Sequence, residues 1–442
     1  MRRTAVTVIC ASLLLTTSAL ASGFGLRESS ASSLGLSYAG VAADGTRASA
    51  LNFNPGLLGE VNEFDMSSSA IGLLPSTDGT FTAVTSAGNA VTGNSTPTHI
   101  VNTALIPAMG LRYRLTDQVI VGMTVSAPWG MVTDYGNDGL TRYYNIASDV
   151  KTYNVTPMIG WQPVPQFTIG VGMQIEYIKG RLTKAIDFGT IGAGAHIPGS
   201  IPGAQDGFVA LKAQDWGYGF VAGAVWKPTS NLTLGVSYRS KLDNTLKGTE
   251  NFTLDSAGKG AILRVATGAF LDGPATAKFT TPSVVTFSAK WQATDKLAIL
   301  FGGDWTGWDV VQNLVAHSSN AHQPDDVTIF NWQNSWSGSV GAEYKLSQDW
   351  LLRVGAALDG TPTTDGFRTP GIPDGSRIWI SGGVGYRVTD NIDVDFSVAR
   401  LTANDGVIAL SKADTGNAYR GNLNGVVHMA VTLVGFEVNY HL

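Results

Sequence analysis

The chain has 442 residues, with 29 Lys and Arg against 34 Asp and Glu, a formal charge of −5 that excludes a nucleic-acid-binding surface. Only 14% of residues are charged, against roughly 25% in soluble domains. Yet no stretch after the N-terminus is long and apolar enough for a membrane helix. With 53 glycines and 9% aromatics, the composition fits strands crossing a membrane better than a soluble protein.

The N-terminus reads as a processing signal. Met1, Arg2 and Arg3 precede a short apolar run, Ala5 to Leu15, and an Ala19-Leu20-Ala21 site, with cleavage expected after Ala21. The run is shorter than the roughly 20 residues a spanning helix needs. The single cysteine, Cys10, lies in this segment, so the mature chain is expected to hold no disulfide and no Cys-based metal site. Losing Arg2 and Arg3 leaves 27 basic against 34 acidic residues, a net charge of −7.

Residues 22–60 are rich in Gly and Ser and poor in strand signals. A disordered tail is one reading. Phe24, Leu26, Leu34, Leu36, Tyr38, Leu51, Phe53, Leu57 and Leu58 favour a compact plug, since disordered tails are poor in such residues.

From residue 61 to 442 the sequence reads as strands rich in Val, Ile, Thr and aromatics. Short turns fall at Thr116–Asp117 and at 163–165, 228–231, 294–296, 347–349 and 389–391. Long polar connections fall near 76–102, 135–150, 185–213, 253–275, 315–328, 361–375 and 404–424. Six short turns alternating with seven long loops give fourteen strands, an even number, as an antiparallel outer-membrane barrel requires. Each strand running into a short turn, and the last strand, carries an aromatic near its end: Tyr113, Trp161, Trp226, Trp291, Tyr344, Tyr386 and Tyr440. Rings at one level make a girdle at the headgroup boundary. Alternation agrees. Trp336, Val340, Tyr344 and Leu346 share one face with Gly338 and Ala342, while Ser335, Ser337, Ser339, Glu343 and Lys345 share the other with Gly341.

Two strands carry further information. The third reads Val119 to Ala127, then Pro128, Trp129 and Gly130. Proline cannot donate to a ladder, so Pro128 either ends the strand or kinks it and opens the wall. In the last strand Val427, Met429, Val431 and Leu433 have the parity of Glu437 and Asn439, the expected inner face, unless a bulge flips the register. Other signals are bland. Gly170 and Gly172 lie inside a strand with no helix after them. His317 and His322, near Asp325 and Asp326, read as a solvated loop rather than a metal site. No Ser, His and acid set recurs at one level, so no enzyme and no cofactor are expected.

The order of these features resembles the FadL family of outer-membrane long-chain fatty acid and hydrocarbon transporters. The carriers are Ser22-Gly23-Phe24; Tyr38-Ala39-Gly40 with Ala42 and Asp44; Asn54-Pro55-Gly56-Leu57; Pro128-Trp129-Gly130 with Asp134 and Tyr135; and Pro373, Asp374, Arg377 and Trp379. The resemblance implies an all-β, fourteen-stranded barrel plugged by an N-terminal hatch. It also implies lumen binding of a fatty acid or other hydrophobic ligand, hatch rearrangement, and lateral release at a kinked third strand. Phe24 would touch the ligand, with Val427, Met429, Val431 and Leu433 as further lining. Asn54, Pro55 and Gly56 would form a hatch turn near the wall opening, and Ser126, Pro128, Trp129 and Gly130 the kink. The third turn residue is usually Ala in the family; Gly56 is expected to loosen the backbone. Asp374 and Arg377 read as a structural pair rather than a headgroup site. The expected surroundings are outer-membrane lipid, lipopolysaccharide and the barrel-assembly machinery, with the chain a monomer. A diffusion porin for polar solutes and an adhesin-type barrel are the competing readings.

Overall fold

The computed structural model describes residues 23–442, so the expected signal, with Cys10, lies outside the described residues. One antiparallel sheet closes on itself, its last strand pairing with its first from Asp65 opposite His441 to Val84 opposite Asn422. The wall strands are β1 (Phe64–Val84), β2 (Ala104–Arg114), β3 (Val119–Ser126, resuming as Gly130–Asp134), β4 (Ala147–Val164), β5 (Phe167–Asp187), β6 (Asp206–Thr229) and β7 (Leu232–Arg239, resuming as Leu242–Thr253). They continue as β8 (Gly273–Thr281, resuming as Val284–Gln292), β9 (Leu297–Thr306), β10 (Ser335–Lys345), β11 (Trp350–Asp359), β12 (Arg377–Thr389), β13 (Ile392–Ala403, resuming as Gly406–Leu410) and β14 (Asn422–His441). A hairpin of Asn313–Ser318 and Asp326–Ile329 lies in the β9–β10 loop. The result is the closed fourteen-strand barrel that the turns require.

All seven girdle aromatics point outward, from 38% exposed at Tyr386 to 52% at Trp161 and Trp226, while Glu343, Asp395 and Glu437 are buried on the inner face. The register of β14 against β1 is unbroken, so Val427, Met429, Val431 and Leu433 face inward with Glu437 and Asn439, with no bulge to flip them. Several strands run further than their turn-like residues suggest. β1 continues through Pro75, Asp78 and Gly79 to Val84, into the span expected as loop 76–102. Pro75 is tolerated because it falls just beyond the last β1–β2 pair, Leu73 with Ala104. β5 likewise runs on to Asp187 and β6 begins at Asp206, which shortens the loop expected over 185–213.

Residues 23–60 fill the lumen. They hold a helical turn α1 (Ala31–Leu34) and two 3-10 segments, Ala48–Asn52 and Pro55–Glu60. Backbone rather than side chain meets the wall here. A Cβ on Gly235 would lie 1.8 Å from the Ala42 carbonyl oxygen, and one on Gly355 2.1 Å from the Leu36 carbonyl carbon. Bare wall positions therefore admit the plug. Charge then holds it: Lys290 joins Asp44 of the plug (2.9 Å) to Glu343 of the wall (2.8 Å), and Arg47 reaches Asp393 (2.6 Å) and Asp395 (2.8 Å). Arg353 ties Glu343 to Asp395 at 3.0 and 2.6 Å. Buried charges persist only when paired in this way.

Candidate functional site: a lumen cavity and a wall seam

β3 does not end at Pro128. It pairs with β4 up to Ser126 opposite Asn154 and resumes with Gly130 opposite Lys151. Three residues, Ala127, Pro128 and Trp129, thus face two, Thr152 and Tyr153, which is a bulge. Thr152 repairs the ladder. Its hydroxyl accepts from the Trp129 amide (3.0 Å) and donates to the Trp129 carbonyl (2.7 Å).

On its other edge β3 loses β2. The β2–β3 ladder stops at Met109 opposite Val125, and the next link across is Asp134 N–H to the Ile100 carbonyl, 2.8 Å. Between these lies a seam, where Ala104–Ala108 of β2 pair only with β1 among the described residues. From the lumen side the N-terminal segment takes the vacant β3 edge. Leu26 N–H donates to the Pro128 carbonyl (2.7 Å), Gly130 N–H donates to the Phe24 carbonyl (2.8 Å), and Gly25 bridges to Trp129.

Phe24 anchors that segment. It is 2% exposed, with ring centroids 4.8 Å from Trp308, 5.2 Å from Phe279, 5.6 Å from Trp332 and 5.7 Å from Trp129. Gly23 before it has a left-handed φ of +63°, and a Cβ there would lie 2.8 Å from the Trp332 ring. The Gly23 N–H donates to Asp374 (2.9 Å). Asp374 also pairs with Arg377 and accepts from the Thr361 hydroxyl at 2.5 Å. The Asp374–Arg377 pair therefore ties the N-terminal segment to the base of β12. Trp379 packs edge-on to Tyr38 of the plug at 6.0 Å.

Above Phe24 lies a cavity of about 490 Å³, lined by Phe24, Met131, Ile178, Leu182, Val209, Leu211, Leu246, Phe279, Leu314 and Phe330 among others. That is within the roughly 300–1,000 Å³ of small-molecule sites. One end is charged: Lys184 of β5 pairs with Asp326 of the loop hairpin, and Arg420, before β14, reaches the same carboxylate at 2.5 Å. Burial alone would raise the Asp326 pKa, but the two cations reverse this and bring it down to about 2. Below Phe24 lies a smaller cavity of about 120 Å³ with a different lining: Arg27, Glu28, Arg239, Asp304 and Asp359 meet Ser126, Ala127, Pro128 and Trp129. The segment Phe24–Glu28 thus separates the two cavities.

The residues singled out in the sequence distribute unevenly over this site. Phe24, Ser126, Pro128, Trp129 and Gly130 come together at the seam. Val427, Met429, Val431 and Leu433 are buried in the apolar core with Leu34, Tyr38 and Trp379, off the wall of the large cavity. The hatch turn is also elsewhere. Asn54 caps it by accepting from Gly56 N–H (2.8 Å) and donates to the carbonyls of Ala42 (2.6 Å) and Ala224 (3.1 Å). The carbonyl of Pro55 meets Gly170, so the turn rests on β5 and β6 rather than at the β3 bulge. The preceding Asn52 and Phe53 reach the lower cavity instead. Gly56 gives room rather than looseness, because a Cβ would lie 2.7–2.9 Å from the Ala224 backbone. Lys184, Asp326 and Arg420 carried no local signal, since their pairing spans 142 and 94 positions. His317 pairs with the exposed Asp325 at 2.9 Å, and no metal-holding cluster occurs among the described residues.

The family model described as "Outer membrane protein transport protein (OMPP1/FadL/TodX)" matches residues 12–442. The chain is 23% identical to the long-chain fatty acid transport protein of Escherichia coli O6:H1, over 92% of this chain and 94% of that one. Among solved structures it resembles a Pseudomonas aeruginosa FadL homologue, with a TM-score of 0.85, 24% identity, and coverage of 95% and 99%. It also resembles the Ralstonia pickettii toluene transporter TbuX, with a TM-score of 0.64, 19% identity, and coverage of 95% and 99%. These two likenesses speak to the fold.

Proposed function

Because the chain belongs to the OMPP1/FadL/TodX family of outer-membrane proteins that transport hydrophobic molecules, we propose that its own cargo is a long-chain fatty acid, released sideways through the β2–β3 seam. The observation that carries the reading is the cavity of about 490 Å³, mostly apolar in lining, with Lys184 and Arg420 in its wall. An acyl chain gains about 0.8 kcal/mol per methylene buried, which draws it out of water or micelles. Its carboxylate meets two cations that share the single carboxylate of Asp326 as their ion-pair partner. The relative named for fatty-acid transport supports the same substrate.

Release follows from the seam. The cavity floor is Phe24, and the segment carrying Phe24 occupies the open edge of β3. Lifting that segment joins the cavity to the seam, and the seam faces lipid, so the chain leaves without returning to water. A lumen filled by residues 23–60 argues against a water-filled diffusion pore.

Uptake of a radiolabelled long-chain fatty acid and of an alkane of equal length tests this, in cells lacking other such transporters. The double variant Lys184→Met/Arg420→Met should lower fatty-acid uptake at least tenfold and spare the alkane. Equal loss of both cargoes, or of neither, would overturn the carboxylate assignment. Pro128→Val, which favours a continuous β3, should lower both. Unchanged uptake by that variant, with the bulge shown to be gone, would overturn lateral release.

A further inference from the structure

The outer surface of β5–β8 carries a feature that transport does not use. Outward residues on β4–β6 form an apolar band above the girdle, with Val155 and Ile159, Ile169, Val171 and Met173, and Phe220 all exposed. The band ends in a cross-strand row of rings at one register: Tyr153 opposite Tyr177, and Tyr177 opposite Trp216. Their centroids lie 6.5 and 5.1 Å apart. From Trp226 to Trp216 the strand advances about 33 Å, and a tilt of about 35–45° reduces this to a height of roughly 25 Å, the thickness of a lipid-facing band. The row therefore marks the outer headgroup boundary.

Just beyond it lie five exposed cations on adjacent strands: Lys179 and Arg181 on β5, Lys212 on β6, Lys247 on β7 and Lys278 on β8. Arg181 stands directly opposite Lys212, and Gln214 stands between Lys179 and Lys247. No ion pair holds any of the five among the described residues, although Lys179 sits 5.6 Å over the Tyr153 ring. Nearby carboxylates have other partners. Asp149, which stands opposite Arg181 on the β4 side, pairs instead with Lys151 (2.8 Å), Asp243 pairs with Lys241 (3.4 Å) and the Thr280 hydroxyl (2.9 Å), and Asp215 accepts from Thr245 N–H (2.7 Å). Like charges directly opposite across a ladder destabilise it unless an anion lies between them. Across the barrel, by contrast, β13 and β14 carry Arg400 bound to Thr432 and His428 paired with Asp405.

We propose that this patch binds the phosphorylated headgroup of an outer-leaflet lipid. The phosphates sit among Arg181, Lys212, Lys179 and Lys247, and the acyl chains run down over Tyr177, Trp216 and Phe220. Charge complementarity and depth select this occupant, because the cations lie where headgroup phosphates lie and the rings below them where the chains begin.

Native mass spectrometry of the detergent-purified barrel tests the site, with bis-phosphorylated lipid A and its fully dephosphorylated counterpart as probes. The native protein should form adducts with the phosphorylated lipid at a concentration at least tenfold lower than with the other. Arg181→Gln/Lys212→Gln should raise that concentration at least tenfold and weaken its dependence on salt, since it removes two of the cations that face the phosphates. Lys179→Gln/Lys247→Gln should do the same, and Arg400→Gln should not. All these side chains are exposed, and heat-modifiable migration checks that each barrel is folded. Equal affinity of the native protein for the two lipids, unchanged affinity in both double variants, or an equal loss in Arg400→Gln would overturn the proposal.

Discussion

Phe24→Ala tests whether one side chain holds the N-terminal segment against the seam. The ring is 2% exposed and touches four aromatic neighbours, so its removal costs about 3–5 kcal/mol, as for other buried Phe→Ala changes. What remains at the seam is three backbone donations, Gly23 to Asp374, Leu26 to Pro128, and Gly130 to Phe24, with the Arg27–Asp304 pair further along the segment. At about 1 kcal/mol each they supply roughly 3 kcal/mol, no more than the lost ring. The open population should therefore rise about 100- to 4,000-fold, since every 1.4 kcal/mol is a factor of about ten. The β-barrel itself should stay folded, because the ring contacts no girdle or ladder position below the bulge. Ser29→Cys is a near-isosteric reporter in a chain whose only natural cysteine is Cys10. Its maleimide labelling rate, with and without Phe24→Ala, reads the opening directly. A change of less than about tenfold in a folded barrel would refute the anchor, because no plausible cavity relaxation hides 3 kcal/mol.

Two further outcomes follow from the same geometry. Gly56→Ala places a methyl within 2.9 Å of the Ala224 backbone, which cannot move without breaking the β6 ladder, so docking of the hatch turn should weaken by about 1–3 kcal/mol. Amide exchange over residues 55–60 should quicken accordingly, and unchanged protection would show that the turn has slack. The Asp326 carboxylate, held down at about 2, gives the Lys184–Arg420 clasp a contribution present above the unfolded carboxylate pKa of about 3.9 and lost as pH falls toward 2. Burial and the neighbouring Arg420 lower the Lys184 pKa to about 8, so a spin-label distance from the hairpin tip to β14 should be flat from about pH 7 to 5 and lengthen only in stronger acid; lengthening near pH 6 would contradict it.

The barrel was legible because lipid imposes a rule on every strand. Tyr113, Trp161, Trp226, Trp291, Tyr344, Tyr386 and Tyr440 must all sit at one boundary, so their offsets repeat along the sequence. Strand ends were less legible where no lipid acts. Pro75, Asp78 and Gly79 resemble a loop, yet they lie in β1, because β14 offers a long partner beyond the membrane. The site was legible in part for a similar reason. Pro128 announces a broken ladder by its own chemistry. Nothing near Lys184 or Arg420 announces Asp326, whose loop must first fold back over the lumen. Parity correctly turned Val427, Met429, Val431 and Leu433 inward, but parity cannot tell a packed lumen from an open one. The plug residues Leu34 and Tyr38 occupy that space.

The division of the lumen at Phe24 bears on how binding and release are coupled. The same ring floors the cavity and fixes the segment that completes β3. A ligand in the cavity that presses onto Phe279 competes for a face that Phe24 uses. It need not push on the wall, because weakening that ring contact also weakens the hold on Leu26 N–H and the Phe24 carbonyl at the bulge. Beneath the segment, Arg27 pairs with Asp304 and Glu28 is buried, so an acyl chain entering the lower cavity would meet charged groups that the apolar part of the upper one lacks. On the proposed lateral release, a hydrophobic ligand that displaces Phe24 leaves sideways past Pro128 toward the unpaired edge of β2. On the transport reading, the Arg27–Asp304 pair and buried Glu28 below the segment favour that exit alongside the seam itself.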